Sequence, residues 1–227
     1  MRRGKDTDLT EQRRVVITGL GIISSLGEDV SVYWDNLCNA RSGIKQISAW
    51  DPSGFPTQIA GEVPDFEPTQ WLEKRLVRRT DRFTQMGMAA ARMAIEDAGL
   101  EFSDGDGARC GVIIGSGIGG LLEIEEQHKR LLEKGVRRVS PFLVPKLMAN
   151  AASAHVSIAY GLRGPNYTTS SACASSTHAL GQAFHTVKYG EADAMVTGGS
   201  EAAITPLGVA GFCAAQALST RNDDPGT

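Results

Sequence analysis

Residues 168–181, TTSSACASSTHALG, constrain this chain more than any other stretch. Residues 166–169 are short and β-prone. The residues around Cys173 are all small, and residues 174–189 are rich in alanine and stop at Gly190. Ahead of them Gly164-Pro165 breaks a helix. Beyond them Ala194-Met195-Val196-Thr197 has the apolar character of another strand. The pattern is strand, turn, helix, strand, with a thiol at the turn and a helix starting at the cysteine.

That position matters chemically. A helix N-terminus carries unpaired N–H groups and the positive end of the helix dipole. A thiolate, the nucleophilic form of cysteine, is stabilised there. The gain is about 0.3–1 kcal/mol, rising to ~2 kcal/mol when partly buried. This alone does not ionise the thiol at neutral pH, so another group has to complete its activation. His178 lies about 140° around the helix from Cys173 and does not face it. A buried packing cysteine would give the same helical periodicity. The small residues on both sides of Cys173 favour a nucleophile, as in the strained strand-to-helix serine turns of hydrolases.

The rest of the chain reads as ordinary α/β. A net charge of −3 gives no support for a nucleic-acid partner. Cys38, Cys110, Cys173 and Cys213 have no metal-ligand spacing, which predicts no metal and a reduced, cytoplasmic setting. No apolar run approaches the roughly 18 residues of a membrane span. Residues 1–13 mix both charge signs, fit neither a signal nor a transit peptide, and read as a flexible tail before a domain over 14–227.

Residues 13–19 predict a buried strand, residues 30–37 a helix, and residues 41–70 turns and loops. Arg75, Arg78, Arg79 and Arg82 recur at helical spacing, which predicts one basic helix face. It is either a solvated face or a docking patch for an acidic partner. Residues 82–99 predict a helix buried through Met86, Ala89, Ala90, Met93, Ala94 and Ala98, capped by Gly99. Residues 110–115 predict a second buried strand, with Cys110 as inert packing. Residues 121–134 predict a polar helix followed by a second basic spot at Arg137 and Arg138. Residues 142–160 predict one more helix, in which His155 is a core or surface histidine.

Two glycine turns imitate dinucleotide fingerprints. Gly19-Leu20-Gly21 lacks the third glycine, where Ser24 stands. Gly115-Ser116-Gly117-Ile118-Gly119-Gly120 follows a strand and opens a helix, but no acid ends a following strand about 20 residues on. A nucleotide-binding module is therefore a weaker reading, and no cofactor is expected. Glycines there can instead let backbone approach a cavity closely.

Taken in order, several segments resemble one family. They are Val15-Val16-Ile17-Thr18-Gly19-Leu20-Gly21, Gly115-Ser116-Gly117-Ile118-Gly119-Gly120, Ser140-Pro141-Phe142, Tyr160-Gly161-Leu162-Arg163-Gly164-Pro165, Ala172-Cys173-Ala174, Thr205-Pro206-Leu207-Gly208 and Ala217-Leu218-Ser219-Thr220-Arg221-Asn222-Asp223. The chain resembles the amino-terminal half of the β-ketoacyl-acyl-carrier-protein synthases of type II fatty-acid elongation. The resemblance implies a thiolase-like layered α/β/α/β/α fold, here its amino-terminal half, and a homodimer. It implies an acyltransferase in which Cys173 carries an acyl thioester and malonyl carrier protein condenses with it after losing carbon dioxide. It also implies that the Cys173 N–H is half of an oxyanion hole.

Ile118 and Phe212 match positions lining an acyl pocket, and Leu143 one reached from the dimer partner. Arg75, Arg78, Arg79, Arg137 and Arg138 match positions that grip the acidic acyl carrier protein. Gln216 departs from the arginine common there. The family's catalytic histidines, lysine and gating loop have no match here, so the sequence reads as truncated and, alone, inactive for condensation. Two rivals remain within the resemblance. A silent chain-length-factor-like subunit usually lacks the cysteine. A polyketide ketosynthase typically has an acidic residue just upstream of it, where this chain has Ser170-Ser171.

Overall fold

The computed structural model describes residues 13–102 and 106–226. In chain order the elements are α1 (Val30–Cys38), β1 (Lys45–Gln46), β2 (Ile59–Ala60), α2 (Lys74–Val77), α3 (Arg82–Asp97), β3 (Cys110–Gly115) and α4 (Leu121–Lys134). They continue with α5 (Leu143–Leu147), α6 (Ala151–Tyr160), β4 (Asn166–Tyr167), α7 (Ser175–Lys188), β5 (Ala194–Gly199) and α8 (Pro206–Ala214). β1 and β2 form a small antiparallel pair. The main sheet is parallel throughout, in the order β4-β3-β5.

β3 is the centre of the layers because its side chains alternate between two apolar faces. Val112 and Ile114 point to one face, where Phe83, Met88 and Ala91 of α3 and Ala151, Ala152 and Val156 of α6 close the main core. Ile113 points to the other, against Ala179 and Ala183 of α7. Small residues on α6 and α7 bring both helices close to the sheet. The β3–β4 ladder is short because side chains take it over. The buried Ser153 hydroxyl accepts from Ile114 N–H at 2.9 Å and donates to Tyr167 C=O at 3.0 Å. Thr168 Oγ donates to Ile114 C=O. The chain leaving β4 can then turn over the end of the sheet.

Four expectations need correction. Residues 13–19 form no strand, and Val16 and Ile17 are 64% and 79% exposed. A β-branched run needs a ladder partner; here the chain instead lies on α3. A Cβ on Gly19 or Gly21 would sit 2.0 Å from the carbonyl oxygen of Ala94 or Ala90. Leu20 N–H adds a bond to the Asp97 carboxylate at 2.9 Å. The stripe Ala90, Met93, Ala94 and Ala98 therefore meets this segment, while Phe83, Met88, Ala91 and Ile95 enter the core. Residues 1–12 of the tail expected over 1–13 lie outside the described residues, and its last residue, Arg13, is held by Asp193.

The basic residues also do not share one helix. α2 ends before Arg78, and Arg82 opens α3 with its guanidinium over the Phe66 ring at 5.4 Å. Residues 142–160 divide into α5 and α6. The break at Met148 frees the Leu147 carbonyl to accept from Gly120 N–H at 3.2 Å, tying α5 to the head of α4. Finally, α7 starts at Ser175 rather than at the cysteine.

A buried charge cluster holds α3, α4 and α5 together. Asp81 caps α3 by accepting from Phe83 N–H and also accepts from Glu123 N–H, each at 3.2 Å. The Glu123 carboxylate, 3% exposed, pairs with Lys146 of α5. Burial pushes the Asp81 carboxyl above its ordinary range, against the pull of those two amides and Lys146.

At the opposite end of the sheet, Asp193 accepts from Arg109 Nε at 2.7 Å and from Arg13 Nη1 at 3.1 Å. These contacts, with Arg109 first, lower its carboxyl from 3.8 to about 2. A lowered carboxyl contributes stability that is present above its unfolded value and lost as pH falls through the folded one. The contact is exposed and screened, so its effect is small. The thermal midpoint of the wild-type protein should fall more steeply than that of Asp193→Asn as pH drops from 3.8 to about 2. Below that window the two should converge. Parallel curves throughout would refute the assignment.

Candidate active site

The turn between β4 and α7 carries the thiol on a strained backbone. Ala172 has φ 52°, the left-handed region that side chains with a Cβ avoid. Such a residue costs about 1–3 kcal/mol and persists only where its surroundings enforce it. Ser175 does so with both ends of its hydroxyl. Its Oγ accepts from Ser171 N–H at 2.9 Å and donates to Ala172 C=O at 2.7 Å. Ala174 N–H and Ser175 N–H close the turn onto Ser171 and Ala172 carbonyls at 3.1 Å each. Thr169 Oγ fastens the Ser175 carbonyl at 2.7 Å. Cys173 stands at the tip, exposed, just ahead of α7. The cap residue Ala174 has no side-chain oxygen to offer the first-turn amides, which leaves them to other partners.

Two glycines let this elbow sit on the carboxyl edge of the sheet, the usual ligand edge of parallel sheets. A Cβ on Gly115, the last residue of β3, would lie 2.3 Å from the Ser175 carbonyl. A Cβ on Gly199, the last of β5, would lie 2.6 Å from Ser176 Cβ. Larger residues at either place would lift α7 and its thiol off the sheet.

The glycine turn after β3 is no phosphate cradle. Its amides are engaged internally. Gly117 N–H and Ile118 N–H donate to Glu201 Oε2 at 2.7 and 3.1 Å, and Ser116 Oγ donates to Oε1 at 3.2 Å. Gly119 N–H donates to Ser116 Oγ and Gly120 N–H to the Leu147 carbonyl. A carboxylate takes the amides that a phosphate would need at this turn, which argues against a dinucleotide there. Among the described residues no cluster of His, Cys, Asp and Glu could hold a metal, and no helix is long and apolar enough to cross a membrane.

The expected site residues fall into two groups. Ile118 follows Gly117, whose backbone lies beside the elbow: a Cβ there would be 3.7 Å from Ala172 Cα. Leu143 opens α5 and Phe212 lies in α8, and the hydrogen bonds of the elbow reach neither. A cavity of about 1240 Å³ is lined by Trp50, Met86, Leu122, Ile204 and Glu201 among others, and by none of those three. Arg75 and Arg78 are exposed, as are Arg137 and Arg138 in the turn after α4. The Arg79 guanidinium lies 4.9 Å from the Phe142 ring centroid, drawing the first basic spot toward the segment that follows the second. Arg130, Lys134 and Arg138 line one concavity, two of them unforeseen although their spacing of four on α4 was readable.

His178 is engaged beside the turn rather than hydrogen-bonded to the thiol. Its Nδ1 pairs with Ser171 Oγ at 2.6 Å. His155 is half-buried, and burial holds its imidazole below the ordinary value. No histidine ring is hydrogen-bonded to Cys173 among the described residues. Ser175, Glu201 and the edge glycines were missed because their partners are distant in the chain or lie inside a turn whose shape had to be seen.

A sequence profile of the β-ketoacyl synthase N-terminal domain matches residues 12–226. The chain belongs to the β-ketoacyl synthase family. It is 50% identical over 215 residues to 3-oxoacyl-[acyl-carrier-protein] synthase 2 of Coxiella burnetii, covering 95% of this chain and 52% of that protein. The same protein of Vibrio harveyi is 50% identical, covering 94% and 52%. A β-ketoacyl synthase from Burkholderia phymatum superposes with a TM-score of 0.81 at 31% identity, covering 93% of this chain and 52% of that one. The ishigamide ketosynthase/chain length factor gives 0.82 at 32%, covering 92% and 52%. The fold is thus thiolase-like, and the chain spans about half the length of the relatives it matches.

Removing the Ser175 hydroxyl should loosen the elbow of this family member. Each of its hydrogen bonds is worth about 0.5–1.5 kcal/mol net. Ser175→Ala should therefore lose about 1–3 kcal/mol in urea unfolding. It should also slow alkylation of Cys173 by iodoacetamide. Wild-type values for both would mean that Ser175 does not hold the turn.

Proposed function

We propose that this chain carries the nucleophile and carrier-docking surface of a 3-oxoacyl-[acyl-carrier-protein] synthase that elongates fatty acids. One observation carries the reading: an exposed cysteine presented by a strained, clamped turn at the head of α7. In the first half-reaction the Cys173 thiolate attacks the carbonyl carbon of an acyl-carrier thioester. The bond to the carrier sulfur breaks, and the departing carrier thiolate takes up a proton. In the second, malonyl carrier protein loses carbon dioxide. The electron pair left on its α-carbon attacks the Cys173 thioester, and Cys173 departs as thiolate. The amide at Cys173 serves the oxyanion of each tetrahedral intermediate.

Ile118, Phe212 and a partner's copy of Leu143 form the apolar pocket in this reading. Arg75, Arg78, Arg79, Arg137 and Arg138 receive the acidic carrier. A cytoplasmic homodimer fits the same proposal. A polyketide ketosynthase and a chain-length-factor-like subunit are the alternatives. One solved relative is a type II polyketide ketosynthase in complex with its acyl-carrier protein, at 25% identity and a TM-score of 0.74. The 50% identity to 3-oxoacyl-[acyl-carrier-protein] synthase 2 favours the first reading, and the cysteine weighs against a silent subunit.

Radiolabelled acyl carrier protein given to the intact protein should place label on the Cys173 peptide, and Cys173→Ala should take up none. Label elsewhere, or equal label in the variant, would overturn the proposal. Reversing charge with Arg75→Glu and Arg78→Glu together should raise the KM for carrier about tenfold or more with little change in kcat. That rise should shrink with added salt. An unchanged KM would remove these arginines from the docking surface.

A further inference from the structure

We propose that Glu201 is a positioning residue that sets the acyl-chain selectivity of the Cys173 site. The inference rests on the acylation of Cys173 and on the Ile118 pocket wall proposed above, and goes beyond them by naming what holds that wall in place. Glu201 stands on a pinned backbone. Ser200 N–H donates to the Gly115 carbonyl at 3.0 Å, and Ser200 Oγ to the Phe83 carbonyl at 2.6 Å. From there the carboxylate takes the amides of Gly117 and Ile118 on one oxygen and the Ser116 hydroxyl on the other. Hydrogen bonds to an ionised acceptor are about twice as strong as neutral ones. Among the described residues no Lys or Arg forms a salt bridge with this exposed carboxylate, and its hydrogen-bond donors there all come from the turn.

The turn is held from both sides. A Cβ on Gly117 would lie 3.1 Å from Glu201 Oε2 and 3.6 Å from the Ala172 carbonyl oxygen. The Gly117 carbonyl accepts from Ser170 Oγ at 3.4 Å. The glycine turn therefore fills the gap between a fixed carboxylate and the elbow that carries the thiol. Ile118 belongs to this turn, and its amide is one of the groups Glu201 grips. Its backbone cannot move away from the elbow without breaking a charge-assisted bond. A fixed wall discriminates chain lengths because one buried methylene corresponds to about a fourfold preference. A wall that gives way loses that discrimination.

The test compares Glu201→Ala, which removes the acceptor, with Glu201→Gln, which keeps an amide oxygen for the same donors. In the intact protein, Cys173 acylation is measured with octanoyl- and palmitoyl-loaded carrier protein. Glu201→Ala should change the ratio of the two rates by about fivefold or more toward indifference, and Glu201→Gln should restore most of it. Alkylation of Cys173 by iodoacetamide should stay within about twofold, which separates the wall from the thiol. Hydrogen exchange at Gly117 and Ile118 should quicken about tenfold or more in Glu201→Ala.

An unchanged rate ratio in Glu201→Ala, or a glutamine variant as defective as the alanine one, overturns the proposal. So does unchanged exchange at the two amides. If Glu201→Ala does not fold, Glu201→Asp, whose shorter side chain cannot reach the same amides, takes its place, and an unchanged rate ratio in that variant overturns the proposal. Absence of acylation in the wild-type protein would instead overturn the function proposed above, and the exchange measurement would still decide whether Glu201 holds the turn.

Discussion

The contact on which the rest depends is backbone against backbone: the first turn of α7 resting on Gly115 at the end of β3. No side chain fits between them. Because the helix comes down that far, Ile113 can reach Ala179 and Ala183 on one side of the sheet, and Cys173 stands at its carboxyl edge in the turn just ahead of the same helix. Packing and site are one construction. The alanines that make α7 thin serve the core, and the thinness brings the nucleophile to its place.

Around that contact the polar groups form a closed circuit. Ser153 bridges β3 and β4 where their ladder ends, Thr168 and Thr169 carry the bonding onward, and Ser175 clamps Ala172. Glu201 does the same for the glycine turn. Each hydroxyl or carboxylate replaces main-chain pairing just where the backbone departs from regular structure, because buried amides and carbonyls need partners. The strain at Ala172 is therefore affordable locally, without distorting the sheet.

Much of this was legible in the sequence. The bounds of β3 and α4 agree with the hydrophobic run at 110–115 and the amphipathic pattern at 121–134. The thiol-bearing turn follows from small residues between a β-prone and an alanine-rich stretch. The failures have physical causes. Residues 13–19 have strand propensity but no ladder partner among the described residues, and a propensity without a partner makes no strand. The helix expected over 142–160 breaks because a distant amide, that of Gly120, recruits the Leu147 carbonyl. Arg82 has the spacing of a surface charge, yet an aromatic ring draws it inward. The glycine fingerprint at 115–120 described the turn correctly and its occupant wrongly, since the carboxylate that fills it comes from 84 residues away in the chain.

The paired charges Glu123 and Lys146 have a consequence for how such a chain can vary over evolutionary time. Breaking a buried pair by losing one member costs about 3–5 kcal/mol, whereas exchanging both for well-packed apolar residues is often neutral or better. Two acceptable states are then separated by an intermediate that consumes a large part of a domain's usual 5–15 kcal/mol margin. The identities at these two positions, one on α4 and one on α5, are expected to be inherited as a unit: ionic with ionic, greasy with greasy, and seldom mixed.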